Sequence, residues 1–260
     1  MILNTYKPKG LTPLQTITLL RKTMPEYANE TIGFAGRLDP LAHGVLLLMI
    51  GEETTKEKDK FLDLPKEYEF ETVFGITTDT YDTLGMLSSQ VKNHNVTKQK
   101  IEDLLTQFIK TKLGKHMQTY PPYSSKPVNG IPLFQWARAG KLAEIELPKR
   151  EIEIFDFTLI EIKQLSTEKL KKEIFTQIDS VSGNFRQNEI KQAWTNFFDN
   201  THQQNEFISA HFRIFCSSGT YVRSLANELG KFLGTGAITL DILRTKVGKY
   251  SITDSLSLSS

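Results

Sequence analysis

Runs and alternations of hydrophobic residues predict a chain that mixes strands with helices. Val45 to Ile50 is an unbroken apolar run, typical of a strand buried on both faces. Lys66 to Gly75 alternates instead, with aromatic residues such as Tyr68 and Phe70 on one side, and predicts a half-buried strand. Similar patterns predict further strands at residues 2–6, 150–163, 207–216 and 237–246.

Apolar residues at helical spacing predict several amphipathic helices. The first is capped by Thr12, with Leu14, Ile17, Leu20 and Thr18 facing inward. The same spacing predicts helices at residues 54–64, 97–109 with Thr97 as N-cap, 133–140, 167–178, 185–198 and from about 222 to 233.

Residues 165–206 separate two predicted strands and contain two of these helices. About 40 residues are too many for an unstructured connection inside a compact domain, so the segment is interpreted as an inserted helical hairpin. It either extends a binding surface or covers an apolar patch, and we favour the second role. The fold class expected is therefore α+β, with a mixed, largely antiparallel central sheet flanked by helices.

Length and composition narrow the classes of protein that remain. A chain of 260 residues is long enough for one large domain, and we expect a single domain over residues 1–260. The single Cys216 excludes an internal disulfide framework and fits a reducing cytoplasm. The N-terminus has no signal-peptide pattern, and the longest apolar run is far below the roughly 18 residues that span a bilayer. We expect a cytoplasmic protein with no membrane association.

The small net charge of +2 conceals an uneven distribution. Residues 110–150 contain eight Lys or Arg against two Glu, a net charge of +6, whereas residues 52–82 contain four Lys against ten acidic residues, a net charge of −6. The basic segment suits a phosphate-binding surface, although solvated loops explain such segments about as often. Five scattered His and one Cys have no metal-ligand spacing.

One stretch, GFAGRLDPLAHGVLLLMIG from Gly33 to Gly51, carries candidate chemistry. Asp39 lies between glycines, and the Pro40 that follows biases it toward an extended backbone on a stiff loop that leads into the buried strand. That arrangement suits a reactive carboxylate. An ordinary turn aspartate is an equally good interpretation of these residues alone.

The stretch closely resembles the signature G-x-x-G-x-LDPLA-x-G-V-L of the TruB family of tRNA pseudouridine synthases. Further motifs follow the family's order: Lys-Pro-x-Gly-x-Thr from Lys7, the K-x-Y strand at Lys66 to Tyr68, and the segment from Pro121 to Lys126, then GIPLFQWARAG. Ser218 to Arg223 matches S-x-G-T-Y-I/V-R. Any one of these motifs is weak, whereas their shared order is specific.

The resemblance assigns a role to each candidate catalytic residue. It makes Asp39 the catalytic residue, Tyr68 the active-site tyrosine and Arg223 the arginine that pairs with the aspartate. An arginine beside a carboxylate fixes its orientation and favours its ionised form. From the pattern alone, Tyr68 is more simply a core aromatic and Arg223 a helix-surface cation.

The resemblance also suggests substrate contacts. Leu243 would pack against an apolar side of the base pocket, although an ordinary core leucine is an equally good interpretation. Tyr221 would lie near the catalytic pair, and Lys126 belongs to the basic segment. Lys7 would position a phosphate or neighbouring backbone, and the alternative is a turn lysine in solvent. At Phe34 the family usually has histidine, which helps to hold the flipped nucleotide. Phenylalanine stacks but forms no hydrogen bond, so RNA docking is expected to differ there.

Further expectations follow from the resemblance. Residues 110–150 form a thumb-like insertion that grips RNA, and no C-terminal RNA-binding domain follows. The expected substrate is the T-arm uridine at position 55 of tRNA. We expect a monomer that needs no cofactor and no obligate protein partner. The alternative is a non-catalytic module that binds or folds tRNA.

His43 is interpreted as an ordinary surface histidine, and residues 77–82 as a turn without chemistry.

Overall fold

The computed structural model describes residues 1–88, 98–200 and 206–258. Within them a large sheet runs through the molecule, and helices cover both of its faces. The strands are β1 (Ile2–Lys7), β2 (Ile32–Ala35), β3 (His43–Ile50), β4 (Lys66–Phe74), β5 (Gly114–Thr119), β6 (Pro127–Val128), β7 (Ile131–Pro132), β8 (Lys149–Ser166), β9 (Glu206–Cys216), β10 (Ala237–Val247), β11 (Tyr250–Ser251) and β12 (Leu256–Ser257).

The helices are of very different lengths. They are α1 (Pro13–Thr23), α2 (Glu52–Lys56), α3 (Lys58–Leu62), α4 (Lys98–Lys112), α5 (Leu133–Arg138), α6 (Thr167–Ser180), α7 (Gln187–Asn200) and α8 (Val222–Leu233). None of these helices combines the length and hydropathy needed to cross a lipid bilayer.

The sheet is mixed and mostly antiparallel, which confirms the expected fold class. Its described strands follow the order β12-β1-β3-β10-β4-β9-β8-β5, with β2 paired to β3 and β11 paired to β10. Among these pairs β1 with β12 and β3 with β10 are parallel, and the others are antiparallel. The parallel pairing of β3 with β10 brings the signature stretch beside residues 200 positions later in the chain.

The side chains of β4 alternate between two of the hydrophobic cores. On β4, Tyr68 and Phe70 pack in a core with α4 and α8, whereas Val73 points to a second core that includes α6 and α7. Trp194 of α7 is fully buried in that second core, and its indole N–H donates to the carbonyl of Thr83. The inserted hairpin therefore covers an apolar face of the sheet, as favoured from the sequence.

The structure corrects two local predictions. The predicted helix at residues 54–64 is two short helices, α2 and α3, because Glu57 between them leaves helical geometry, with φ −84° and ψ 10°. Helix α1 has the predicted Thr12 cap, but it is rotated relative to the prediction: Leu14 and Thr18 are exposed, while Pro13 and Thr16 are buried with Ile17 and Leu20. The predicted cap at Thr97 lies outside the described residues.

Candidate active site

Asp39 lies on the loop that joins β2 to β3, and the buried side chain of Lys7 donates hydrogen bonds to this loop and to the neighbouring backbone. The ammonium group of Lys7 donates to the carbonyls of Pro8 at 3.0 Å and Pro40 at 3.2 Å, and also to that of Leu11. Lys7 is fully buried, and burial lowers its pKa to about 7 against the opposing effect of Asp39. Of the two roles expected for Lys7, the structure fits contact with neighbouring backbone.

A cavity of about 740 Å³ opens above this loop. Its walls come from the Asp39 loop, β4, β10, the start of α8, the thumb-like segment and the turn between α6 and α7. The polar and aromatic lining residues include Asp39, Lys66, Tyr68, Thr80, Asp82, Tyr123, Tyr221, Arg223 and Arg244. A cavity of this size holds a nucleoside with room for neighbouring groups.

Arg223 connects three parts of the wall. Its Nε donates to Oδ2 of Asp39 at 2.7 Å, while its terminal nitrogens donate to the carbonyl of Thr80 at 2.5 Å and to that of Tyr123 at 3.1 Å. The side chain of Arg223 is 4% exposed and that of Asp39 34%. The guanidinium is thus fixed inside the protein, and the carboxylate that it orients faces the cavity.

Asp82 is a second carboxylate beside the same guanidinium. Its Oδ2 lies 3.7 Å from Nε of Arg223, and its Oδ1 accepts from the hydroxyl of Thr80 at 2.6 Å and from the amide of Leu84 at 3.0 Å. Burial raises the pKa of Asp82, and Arg223 opposes this shift. Burial works against the charge of Arg223, but Asp39 and Asp82 outweigh it and raise the pKa of Arg223.

The turn at residues 77–82 is therefore part of the site, although its sequence alone predicts a turn without chemistry. Thr80 and Asp82 line the cavity and hold Arg223. The local sequence shows only turn-forming residues. The signal that was available is that a buried arginine needs acceptors, and this turn supplies a carbonyl and a carboxylate.

Tyr68 lines the cavity from β4, as expected, and Arg244 accompanies it from the neighbouring strand. Arg244 is 1% exposed and donates to the carbonyls of Val45 at 2.7 Å and Gly36 at 3.0 Å. Arg244 therefore ties β10 to both ends of the Asp39 loop. Burial raises the pKa of Tyr68, with Arg244 opposing, so the phenol is neutral at neutral pH.

Tyr221 also lines the cavity, at the N-terminal end of α8. Its backbone exchanges two hydrogen bonds with the side chain of Gln118, at 2.8 and 3.1 Å, and its ring meets that of Tyr120 edge-to-face at 5.4 Å. Burial, followed by the charge of Asp39, raises the pKa of Tyr221 to about 12. The ring is thus fixed in place with a neutral hydroxyl.

Three other predicted contact residues lie outside the cavity lining. Leu243 points away, and its neighbours Ile242 and Arg244 line the wall instead, because successive residues of a strand face opposite sides. Phe34 is partly buried in a core with α1, and the cations of Arg37 and Lys58 lie 5.8 and 5.6 Å from its ring centre.

Lys126, the third of these residues, is exposed on the thumb-like segment, and its ammonium lies 5.6 Å from the ring centre of Tyr120. Ser124 and Ser125, just before it, do line the cavity. Lys126 therefore lies beside the cavity lining but outside it.

His43 is not the ordinary surface histidine that was expected. Its side chain is 15% exposed, with Nδ1 2.7 Å from the hydroxyl of Tyr6 and Nε2 3.1 Å from Asp241. Lys9 pairs with the same carboxylate at 2.6 Å. These partners hold the ring against β10, outside the cavity. In the described ranges, no group of three His, Cys, Asp or Glu side chains is arranged to hold a metal ion.

Solved structures with a similar fold identify the architecture. The chain aligns with one in a crystal structure of a Cbf5-Nop10-Gar1 complex, with a TM-score of 0.58 and 19% identity. It aligns also with one in an H/ACA RNP bound to a substrate RNA containing 2′-deoxyuridine, with a TM-score of 0.55 and 19% identity. Both alignments cover 99% of this chain, which spans about half the length of those chains, at 52% and 50%. These alignments show that the chain shares its fold with the chains in those two structures.

Sequence comparisons define the family to which the chain belongs. The model described as TruB family pseudouridylate synthase (N terminal domain) matches residues 23–185. The tRNA pseudouridine synthase B of Bacillus cytotoxicus is 32% identical over 253 residues, which are 97% of this chain and 67% of the relative. That of Staphylococcus saprophyticus is 31% identical over 259 residues, with 99% and 69% covered. The chain belongs to the TruB family of pseudouridylate synthases, and the family predicted from the motifs is confirmed.

Proposed function

We propose that this protein isomerises the uridine at position 55, in the T arm of tRNA, to pseudouridine, with Asp39 as the catalytic residue. The observation that carries this proposal is the 2.7 Å pairing of Asp39 with the buried Arg223 at the wall of a nucleoside-sized cavity. The names of the relatives, tRNA pseudouridine synthase B, support the choice of substrate.

The reaction rearranges bonds without any net change in atoms. The bond between N1 and C1′ breaks, the released uracil turns, and C5 bonds to C1′, so C5 gives up a proton and N1 gains one. A carboxylate such as Asp39 bonds covalently to the substrate and leaves again, which divides one difficult step into easier ones. The rearrangement involves no oxidation and no transfer to a second molecule, so its chemistry requires no cofactor.

The walls of the cavity suit a nucleotide that has left its stack. A uridine in a folded RNA loop is beyond the reach of Asp39 until the nucleotide flips out. We infer that Tyr68 stacks on the flipped base and assists proton removal from C5, that Tyr221 contacts it from α8, and that Arg223 keeps Asp39 aligned. Leu243 and Phe34 would then act through packing of the site rather than by contact with the base.

We further propose that residues 110–150 grip the tRNA as a thumb within a single catalytic domain. Lysines and arginines are interleaved with aromatic residues there, including Lys126 beside the cavity lining, and such surfaces bind phosphates and unstacked bases. In this proposal a monomer acts on tRNA in the cytoplasm without an obligate protein partner.

The test is conversion of uridine in a tRNA transcript, with the modified position mapped and RNA affinity measured in parallel. We expect the wild type to modify position 55, and Asp39→Asn to bind the transcript with unchanged affinity but to give no detectable product. Asp254→Asn, which alters an exposed aspartate, is the matched control. Tight binding without conversion by the wild type would support the alternative, a tRNA-folding module.

A further inference from the structure

The turn between α6 and α7 lines part of the cavity. The hairpin packs against the sheet through its two helices, so this packing alone does not explain the position of the turn. Asn184, Phe185 and Arg186 line the cavity. Neighbouring elements hold the turn in place: Arg138 of α5 donates to the carbonyl of Asn184 at 2.9 Å, and Gln15 of α1 donates to the hydroxyl of Ser182 at 2.6 Å.

Arg186 joins two segments that are far apart in the sequence. Its Nη1 and Nη2 donate to the two carboxylate oxygens of Asp79, at 2.7 and 3.2 Å, in a bidentate pair. The same guanidinium lies over the ring of Tyr123, 4.6 Å from the ring centre. Arg186 thus fixes Asp79 on one side and Tyr123 on the other.

These two segments also supply the carbonyls that hold the guanidinium of Arg223. Thr80, directly after Asp79, accepts from Nη1 of Arg223, and the carbonyl of Tyr123 itself accepts from Nη2. A shift of either segment moves the acceptors of Arg223, and Arg223 in turn holds the carboxylate of Asp39 at 2.7 Å. Arg186 therefore contacts both of the segments whose carbonyls hold Arg223, although it does not itself contact the Asp39–Arg223 pair.

The backbone of Arg186 indicates that its side chain is required at this point. Its φ of +62° lies in the left-handed region, where glycine is preferred and larger residues are strained. Its carbonyl also accepts from the amide of Ile190 in the first turn of α7. Glycine would form this turn without strain, but it would supply neither the carboxylate pair nor the aromatic contact.

We propose that Arg186 of the inserted hairpin is a positioning residue for the reaction, which acts by clamping the Asp79–Thr80 turn against Tyr123 and so fixes Arg223 and Asp39. The proposal rests on the proposed function. It gives the insertion a role in catalysis in addition to covering the sheet. Because Arg186 acts through its neighbours, its loss should slow the chemical step and leave RNA affinity unchanged.

The experiment compares single-turnover rates of pseudouridine formation, at saturating enzyme, with the dissociation constant for the same tRNA transcript. For Arg186→Met we expect a rate lower by about 100-fold, as for a small misplacement of a catalytic group, and unchanged affinity. Asp79→Asn should behave alike, and the double variant should be no slower than the slower single variant, because both substitutions break one pair. Lys191→Met, which removes a surface ion pair of the hairpin, is the control with unchanged rate.

Other outcomes are informative in distinct ways. Weaker RNA binding with an unchanged rate would overturn the positioning role and make Arg186 an RNA contact, and rate losses that multiply in the double variant would overturn the shared pathway. Should Arg186→Met unfold, Arg186→Lys gives the same test, since lysine keeps the charge but not the bidentate pair. An inactive wild type would overturn the proposed function and this proposal together, whereas an active wild type with an unaffected Arg186→Met overturns this proposal alone.

Discussion

Nε of Arg223 donates a 2.7 Å hydrogen bond to Oδ2 of Asp39, although the two residues are 184 positions apart. The pair forms where the loop before β3 meets the first turn of α8. The arginine is buried and the carboxylate faces the cavity, so the protein fixes the guanidinium and leaves Asp39 accessible to a substrate. This division suits a nucleophile that must be oriented before the substrate arrives.

Arg223→Lys tests whether the planar fork of the arginine matters. Lysine keeps the positive charge, but it cannot bond at once to Asp39 and to the carbonyls of Thr80 and Tyr123. We expect the single-turnover rate of uridine conversion to fall by about 100-fold, with unchanged affinity for tRNA. Arg213→Lys, at an exposed position of β9, is the control. A rate equal to that of the wild type would show that charge alone suffices at this position.

Tyr68→Phe separates the two roles proposed for this residue. The variant keeps an aromatic ring for stacking and loses a hydroxyl that burial keeps neutral. If the hydroxyl takes part in proton removal, the rate should fall by about 100-fold, at the lower end of acid–base contributions. RNA affinity should stay the same, and Tyr250→Phe, outside the cavity lining, should leave both quantities unchanged. Full activity of Tyr68→Phe would restrict Tyr68 to stacking.

The order of the motifs and the periodicity of the strands were sufficient to predict six strands of the sheet and the central constellation, whereas β2, β5, β11 and β12 were not predicted. The alternation in β4 placed Tyr68 on its buried face, and the apolar run of β3 placed Asp39 on the loop before it. Both predictions depend on local patterns, namely the period of a strand and the glycines and proline of a loop. Asp39, Tyr68, Tyr221 and Arg223 accordingly line one cavity.

The residues missed are those whose role depends on a partner far away in the sequence. Thr80 and Asp82 belong to an ordinary turn until Arg223 is packed against them, and Arg186 lies in an insertion that the signature motifs do not include. Leu243 is an error of the opposite kind, because it was predicted to contact the base and does not line the cavity. Its neighbours Ile242 and Arg244 do, since residues one position apart on a strand face opposite sides.

Lys7 provides a test by pH. Burial lowers its pKa to about 7 from the ordinary 10.5, so between these values the unfolded chain binds a proton that the folded chain does not, and the free energy of unfolding rises with pH. Lys7→Met lacks this contribution. Urea denaturation at about pH 6 and about pH 9 should therefore show the wild type gaining stability relative to Lys7→Met at the higher pH.

Lys22→Met, at an exposed position of α1, is the control for the Lys7 experiment and should show no such pH-dependent difference. Lys7→Met also leaves the carbonyls of Leu11 and Pro40 without their donor, so the variant should be less stable than the wild type at about pH 9. A stability difference that is independent of pH would contradict the lowered pKa.

Gly44→Ala tests the close contact on which the position of the Asp39 loop depends. Gly44 has φ +101°, and a Cβ built there would lie 2.3 Å from the backbone carbonyl oxygen of Arg244, its partner in the β3–β10 pairing. Gly51→Ala is a matched control from the same stretch, since its φ of +91° is equally strained but no atom lies within 4 Å of its added Cβ. Backbone strain alone should cost Gly51→Ala about 1 kcal/mol in urea denaturation, whereas strain and collision together should cost Gly44→Ala more than about 3 kcal/mol.

The same pair of variants should also differ in activity. In Gly44→Ala the collision pushes on the backbone of Arg244, whose guanidinium donates to the carbonyls of Val45 and Gly36. We therefore expect Gly44→Ala to lose most of its activity and Gly51→Ala to keep it. Equal losses in the two variants would mean that β10 yields without cost, and that the signature does not need a glycine at position 44 for close packing.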